Sequence, residues 1–254
     1  MKFARIIFLD CYKTHFLARG FDMKRNSIVL VEFTGREAET GRVFDTTSEA
    51  TAKEAGVYRE NAVFAPVPTI VGKGDLLPGL EDAVLEMNEG EERKLALGPA
   101  KAFGERKKEL VVIVPLQEFR KRGIQPLPGL VVDLNGTYGR VQTVSGGRVR
   151  VDMNNDLAGK EVEYDLKVVR EVRDSKEKAQ LLTEKFFPLK EKAETRLEGE
   201  VLAVKLPKEL AKQIAPFMEP FTKMIKDVLP EVKKVEIVDS FAEKNAKPVA
   251  SAKS

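Results

Sequence analysis

The sequence is poor in the residues that most often carry metal, redox or nucleophilic chemistry, since its 254 residues include one cysteine, one histidine and no tryptophan. Cys11 alone cannot form a disulfide framework, which points to a cytoplasmic setting. With His15 as the only imidazole, most metal sites and nucleophile–base pairs lack their usual members. Cys11 and His15 could share one helical face, but they lie in a stretch without regular patterning, so a catalytic pair is the lesser alternative. We therefore expect neither a metal nor a cofactor.

The chain also has no marked excess of one charge, because it contains 43 basic and 40 acidic residues. Lysine and glutamate are interspersed along the chain and form no basic stripe with interleaved aromatics, so no specific nucleic-acid partner is indicated.

Long apolar runs are missing as well. The run from Ile6 to Leu9 is interrupted by Asp10 and Lys13, and no small-residue cleavage pattern follows it. We expect no membrane span and no secretory signal. Regular strand patterning begins only at Met23, so residues 1–22 are interpreted as an N-terminal extension, and a translation start at Met1 or at Met23 stays open.

The first patterned segment predicts short strands with few helices. Residues 27–34 (SIVLVEFT) favour a strand, Gly35 to Gly41 a turn, and a second short strand ends at Phe44. Residues 46–61 offer Thr and Ser caps and a helix-forming stretch stopped by Gly56. Strand and helix signals alternate too irregularly for a doubly wound sheet, so an antiparallel α+β domain is the better fold class.

The residue pattern changes in the middle of the chain. Residues 109–155 have short strands separated by Pro-Gly, Asn-Gly and Gly-Gly turns, with hardly any helix signal. Clean strand alternation resumes in residues 160–172, where it suits a central strand. This order predicts a small all-β module inserted between two parts of one sheet.

The last third predicts a compact α/β unit. A charged helix follows Arg173, a strand is predicted at 196–206, apolar helical runs reach Leu229, and a final strand follows. Residues 242–254 are small and polar and predict a disordered tail.

The stretch GKGDLLPGLEDAVLEM, residues 72–87, places two apolar residues directly before a helix. Leu77, Leu80, Val84 and Met87 share one helical face, and Pro78 suits the first helical position. The stretch lacks the glycine spacing of a phosphate-binding loop. Taken alone, the stretch predicts an ordinary core helix. It does not explain why the apolar pair Leu76 and Leu77 precedes the helix, and the neighbouring motifs of the sequence must be considered for that.

Five motifs in order provide those neighbours, namely VEFTG, GRVFDTT, IVGKGDLLPGLEDAV, KAFGE and EVEYDLKVV. Together they resemble the FKBP-type peptidyl-prolyl isomerase family over residues 27–105 and 157–172. Residues 106–156 resemble the insert-in-flap chaperone domain of its SlyD-like branch. The C-terminal unit resembles that of long archaeal-type members, where it serves association.

The resemblance implies an architecture. It predicts an antiparallel FKBP-like sheet wrapped on a short helix (residues 23–105 and 157–173), an inserted small all-β domain (106–156) and a C-terminal α/β domain (174–241).

The resemblance also implies roles for nine residues. Phe44 and Asp45 match the family's Phe-Asp pair, Phe103 takes a position usually held by Tyr, and Tyr164 is the aromatic that closes the pocket. These four are the candidate catalytic residues, and the candidate substrate-binding residues are Phe33, Val67, Leu76, Leu77 and Leu80.

Three departures from the family pattern affect the pocket. Leu80 stands where the family often has Trp, and Phe103 has no hydroxyl for a ligand carbonyl, so tight binding of macrolide inhibitors is not expected. Phe33 lacks the hydroxyl that often hydrogen-bonds the aspartate, so Asp45 needs another partner.

The implied function is prolyl cis–trans isomerisation combined with chaperone activity on unfolded or nascent polypeptides that contain X–Pro bonds. The implied assembly is a homodimer formed through the C-terminal domain. Two alternatives stay open, namely a holdase whose degenerate pocket only binds, and a ribosome- or RNA-associated factor that uses the Lys-rich C-terminal part.

Overall fold

The computed structural model describes residues 23–187, 193–206 and 214–238. The predicted extension 1–22, with Cys11 and His15, and the predicted tail 242–254 lie outside the described residues. Within the described ranges, no helix has both the length and the apolar character needed to cross a membrane.

The strands, in chain order, are β1 (Ile28–Glu37), β2 (Val43–Thr46), β3 (Val67–Ile70), β4 (Glu92–Leu97), β5 (Val111–Pro115), β6 (Val131–Leu134), β7 (Thr137–Ser145), β8 (Arg148–Asp152), β9 (Val162–Val172), β10 (Glu194–Glu198), β11 (Val201–Lys205) and β12 (Lys234–Val238). The α-helices are α1 (Glu49–Glu54), α2 (Pro78–Glu86), α3 (Leu116–Lys121), α4 (Ser175–Phe186) and α5 (Met218–Val228).

The main sheet confirms the predicted antiparallel α+β class. Its strands follow the order β2-β1-β9-β4, and β3 pairs with the remaining part of β1. As its alternation indicates, β9 is central, lying between β1 and β4. Helix α2 covers one face through Leu80 and Val84, which are buried together with Val29, Val31 and Leu166. Residues of the candidate functional site pack against this core.

Strand β1 is longer than the sequence predicts. The turn predicted at Gly35 to Gly41 is confined to residues 38–40, because Gly35 stays in the strand and pairs with both β2 and β9. A glycine in a strand often marks the close approach of another group, and the contacts of Gly35 show which group approaches.

The insert has its own sheet and core. Its strands follow the order β5-β8-β7-β6, and its buried residues are Phe119, Val132, Val141, Val149 and Val151. Beside the sheet it contains the short helix α3, which buries Phe119 after Pro115. The chain leaves the main domain and returns to it at adjacent points, since Gly159 N–H donates to the Gly104 carbonyl at 2.8 Å. An ion pair joins Arg106 at the exit to the buried Asp152.

The C-terminal part has a three-stranded sheet in the order β10-β11-β12. The predicted strand 196–206 is a hairpin instead, because the chain turns at Gly199 with φ +56°. Helices α4 and α5 pack on this sheet around Phe221, which contacts Phe186 and Phe187.

The C-terminal part docks against one end of the main sheet. Ile28 lies opposite both Ile70 and Val172 in the ladders, and these three residues belong to the C-terminal core. Side chains alternate along a strand, so Val29 and Val31 enter the other core. Lys73 also pairs with Asp227 at 2.6 Å. Strand β1 therefore contributes to both hydrophobic cores.

Candidate functional site

An open cleft of about 1090 Å³ lies beside the edge strand β2. Five of the nine candidate site residues line it, namely Phe33, Phe44, Asp45, Val67 and Phe103. The other four support it from the adjoining core, where Leu80 and Tyr164 are buried and Leu76 and Leu77 are half-buried. The structure thus brings all nine candidates into one neighbourhood, with Leu80 and Tyr164 beneath the surface.

Two aromatic rings, those of Phe103 and Tyr164, pack edge to face against Phe44. Its ring centroid lies 5.6 Å from that of Phe103 and 5.7 Å from that of Tyr164, with interplanar angles of 81° and 79°. Phe33 contacts Tyr164 in the same way at 6.0 Å. Edge-to-face pairs of this kind are favourable because the positive edge of one ring meets the negative face of the other. The cleft wall is therefore a set of mutually positioned rings.

The sheet register explains how the rings meet. Gly35 lies opposite Asp45 on β2 and opposite Tyr164 on β9, so these residues form one row across the sheet. A Cβ added to Gly35 would lie 2.8 Å from Phe44 Cζ and 2.8 Å from Tyr164 Cε1. The missing side chain leaves the space that both rings occupy. The sequence analysis did not identify this role of Gly35. The signal that could have shown it is the presence of a glycine within the strand pattern VEFTG.

Asp45 lines the cleft, where it is solvent-exposed but its carboxylate is partly desolvated by neighbouring protein atoms. Burial raises its pKa above the usual aspartate value, while a hydrogen bond from the Thr46 backbone N–H and the positive charge of Arg59 act in the opposite direction. Thr46 and Arg59 are thus partners that the sequence left unidentified. Burial, together with the charge of Asp45, raises the pKa of Tyr164, which keeps its hydroxyl protonated at neutral pH.

The entry of helix α2 accounts for the two leucines that precede it. Leu77 takes an extended conformation at the N-cap position, and its carbonyl accepts hydrogen bonds from the N–H groups of Leu80 and Glu81 at 2.9 and 3.0 Å. Leu76 and Leu77 pack against the buried core of the main sheet. Their position follows from the sharp turn into the helix.

The segment after α1, residues 55–66, forms the outer border of the cleft, and we call it the lip. Tyr58, Val63 and Phe64 of the lip line the cleft. The rings of Tyr58 and Phe64 are stacked, with centroids 5.4 Å apart. Sequence reasoning did not select these residues, because single apolar residues in a loop carry no periodic signal.

The insert approaches the same cleft where the chain returns to the main sheet. Asn155, Asp156 and Leu157 line the cleft, and Asp156 accepts two hydrogen bonds from Arg140 of the insert, at 2.6 and 3.1 Å. A smaller cavity of about 400 Å³ shares Arg42, Asn155 and Asp156 with the cleft. The cleft therefore continues toward the insert.

The surface of the insert is apolar in several places. Six of the ten large hydrophobic side chains that are exposed within the described residues lie in the insert: Leu110, Ile113, Leu127, Leu130, Val131 and Tyr138. Strands β5 and β6 are the edges of its sheet. Across the described residues, no group of three His, Cys, Asp or Glu side chains is arranged to hold a metal ion.

Comparison with known proteins gives two family matches. Residues 21–119 match the FKBP-type peptidyl-prolyl cis-trans isomerase model, and residues 112–157 match the FKBP26 IF domain model. The chain is 34% identical over 128 residues to the short-type peptidyl-prolyl cis-trans isomerase of Methanocaldococcus jannaschii, covering 50% of this chain and 82% of the relative.

Two further relatives and one solved structure are similar to parts of this chain. Identity is 33% over 110 residues with a probable FKBP-type 16 kDa peptidyl-prolyl cis-trans isomerase of Pseudomonas fluorescens, covering 41% of this chain and 72% of the relative. It is 29% over 152 residues with the FKBP-type isomerase SlyD of Treponema pallidum, covering 58% and 77%. A structure of the three FKBP domains of wheat FKBP73 aligns with a TM-score of 0.30 at 16% identity, and the alignment covers 59% of this chain but only 40% of the wheat chain.

Proposed function

Because the chain belongs to the FKBP-type peptidyl-prolyl cis-trans isomerase family and is an enzyme of that class, we propose that it binds X–Pro bonds in the aromatic cleft and holds unfolded clients on its insert.

The chemical task is rotation about an amide bond. Resonance holds the amide planar, and rotation crosses a barrier of ~18–20 kcal/mol. For X–Pro the two isomers differ by only about 0.5–1 kcal/mol and interconvert over tens to hundreds of seconds. Rotation needs neither a nucleophile nor a redox partner, so a chain with so few reactive side chains can catalyse it.

The cleft offers the environment that this rotation needs. The twisted amide has lost its charge-separated resonance form and depends less on water than the planar amide does. An apolar wall of Phe44 and Phe103, supported by Tyr164, therefore stabilises the twisted form relative to the planar one. Lowering the barrier by ~4 kcal/mol gives about a thousandfold acceleration. In this mechanism Asp45 orients the bound amide or stabilises it electrostatically in the cleft.

The observation that carries the isomerase proposal is the edge-to-face grouping of Phe44 with Phe103 and Tyr164 beside Asp45. A prolyl tetrapeptide assay, coupled to a protease that cleaves only the trans isomer, tests it. We expect turnover well above the spontaneous rate. A rate equal to the spontaneous one would favour the holdase alternative.

The chaperone part of the proposal rests on the exposed apolar residues of the insert. Ile113 and Tyr138 are 64% and 70% exposed and stand on the edge strand β5 and on β7. An extended client segment can add to a sheet edge through backbone hydrogen bonds while apolar side chains contact such residues. Holding a client beside the cleft raises the local concentration of its prolyl bonds.

Replacing residues 106–156 by a short Gly-containing loop separates the two activities. The backbone bond between Gly104 and Gly159 keeps the ends of the main domain together, so a short loop can join them. We expect tetrapeptide turnover to stay largely intact, and the KM for a slowly refolding proline-limited protein to rise ~100-fold or more through lost effective concentration.

A gentler variant and a folding check accompany this replacement. Ile113→Ser combined with Tyr138→Ser keeps the insert core and should raise only the protein-substrate KM. Circular dichroism must show that each variant is folded. An equal fall in both activities would show that the insert belongs to the catalytic cleft and would contradict the proposed division.

A further inference from the structure

Building on the proposed isomerase function, we propose that Tyr58, Val63 and Phe64 of the lip form a second substrate site, which binds an apolar side chain of the client several residues from the prolyl bond. The lip would thereby select clients by a residue that the reacting amide does not touch.

The exposure of the lip is the first support. Val63 is 87% exposed and Tyr58 is 41% exposed. Single apolar residues on a surface are ordinary, but these two belong to one short segment and line one cleft. Their grouping at the border of a substrate cleft is what a peptide-binding surface requires.

The lip is held in a defined conformation, which is the second support. Helix α1 is capped by Ser48, whose Oγ accepts from Thr51 N–H at 3.3 Å. It ends in a Schellman motif, with Gly56 at φ +68° and hydrogen bonds from Gly56 N–H to the Lys53 carbonyl and from Val57 N–H to the Ala52 carbonyl.

Further contacts fix the rings of the lip. Ala62 N–H donates to the Arg59 carbonyl at 3.0 Å and closes a turn that brings Phe64 back over Tyr58. Lys53 Nζ lies 5.1 Å from the centroid of the Tyr58 ring and pairs with Glu49 at 2.6 Å. A surface ordered before binding loses little conformational entropy when a ligand arrives. The lip is therefore better suited to binding than a mobile loop would be.

Continuity with the catalytic cleft is the third support. Val67 and Phe44 line the same cleft as the lip. Its volume of about 1090 Å³ slightly exceeds the range of ~300–1,000 Å³ for small-molecule sites. One amide and one proline ring do not fill that space, whereas an extended peptide rising ~3.3 Å per residue can reach from the rings to the lip.

The chemistry of the lip specifies an apolar residue as its occupant. Val63 offers only methyl groups, and the two rings of the lip are already stacked on each other. The nearby cation of Lys53 is engaged by Glu49 and by the Tyr58 ring. The charge of Arg59, which belongs to the lip, acts on Asp45. A Leu or Phe side chain of the client fits this surface better than a charged one.

A peptide series tests the inference. Each peptide carries one X–Pro bond and either Phe or Ser at one position two to four residues from the proline, on either side. For the wild-type protein we expect one position at which Phe lowers KM about five- to tenfold without changing kcat, as partial burial of an apolar side chain gives. Val63→Ser should abolish this difference, and Val63→Leu should retain it.

A matched control and a second readout keep the outcomes distinct. Phe217→Ser alters another exposed apolar residue, in the C-terminal part, and should leave the difference unchanged. Equal KM values for the Phe and Ser peptides at every position in the wild type would overturn the lip proposal. Absence of turnover for all peptides would instead overturn the proposed isomerase activity. Peptide affinity measured by fluorescence anisotropy would then decide on the lip without requiring turnover.

Discussion

Gly35 lies directly opposite Tyr164 in the ladder between β1 and β9, and the tyrosine ring occupies the space that a side chain at position 35 would need. The ring of Phe44 approaches the same point from β2. One absent side chain thus determines how closely a ring of the cleft wall packs on the buried ring that supports it.

We expect Gly35→Ala to lower kcat/KM more than it lowers the folded fraction, because the new methyl group must displace Phe44 or Tyr164. Overpacking of this kind costs about 1–3 kcal/mol. Peptide turnover and urea unfolding measure the two effects. Gly98→Ala is the control, since Gly98 has negative φ and no atom within 4 Å of an added Cβ. Similar turnover for the two variants would show that ring placement does not limit catalysis.

The raised pKa of Asp45 predicts an acid limb in the pH dependence of turnover. We expect kcat/KM to fall as Asp45 becomes protonated, at a pH above the ordinary aspartate pKa of about 3.9. Arg59→Gln removes a positive charge that favours the carboxylate, so the limb should move to still higher pH. Asp45→Asn should abolish it. Protease-free NMR exchange measurements give the profile, and an identical limb in Asp45→Asn would rule out Asp45 as its source.

We expect Phe103→Ala to lower turnover per folded molecule several-fold, because Phe44 loses its edge-to-face neighbour and the cleft wall opens. Leu80→Asp should lower turnover as well and also cost stability, since Leu80 is buried and an unpaired charge would enter the core. Glu86→Ala, an exposed change on the same helix as Leu80, is the control for both. Tetrapeptide rates normalised by circular dichroism compare the three, and equal rates would exclude this cleft as the catalytic site.

The aromatic cluster of the C-terminal part should dominate the stability of that part. Phe221 is fully buried and contacts Phe186 and Phe187, with centroids 5.2 and 4.9 Å away. We expect Phe221→Ala to reduce the free energy of unfolding by about 3–5 kcal/mol. Phe217→Ala, the same change at an exposed position, should alter it by less than about 0.5 kcal/mol. Urea titration measures both, and a small loss for Phe221→Ala would mean that the cluster repacks.

The motif order predicted the cleft better than residue patterns did. Phe44, Phe103 and Tyr164 lie on three separate segments, and only the resemblance of the ordered motifs indicated that they meet. Periodicity alone predicted α2 and the central strand β9, because both bury one face and so show a regular alternation. Arg59 and Thr46 were not predicted as partners of Asp45, since their proximity depends on the path of the lip and of β2.

Glycines caused the errors in element bounds. Gly35 was interpreted as part of a turn, but it stays in β1 because rings from two neighbouring strands need its space. Gly199 lies within an apparently continuous strand pattern, yet it adopts a left-handed conformation and divides the pattern into β10 and β11. Tertiary packing therefore decided the conformation at Gly35, whereas local turn chemistry decided it at Gly199. Association through the C-terminal domain and a cytoplasmic location stay predictions.

The shared use of β1 has a consequence for shortened forms of the chain. A protein ending at residue 173 would keep the cleft, the lip and the insert, but it would expose the apolar row of Ile28, Ile70 and Val172 at the end of its sheet. Such a row is a ready contact for other apolar surfaces. Recombinant production of the catalytic part alone should therefore give poorly soluble material unless polar residues are introduced at these three positions.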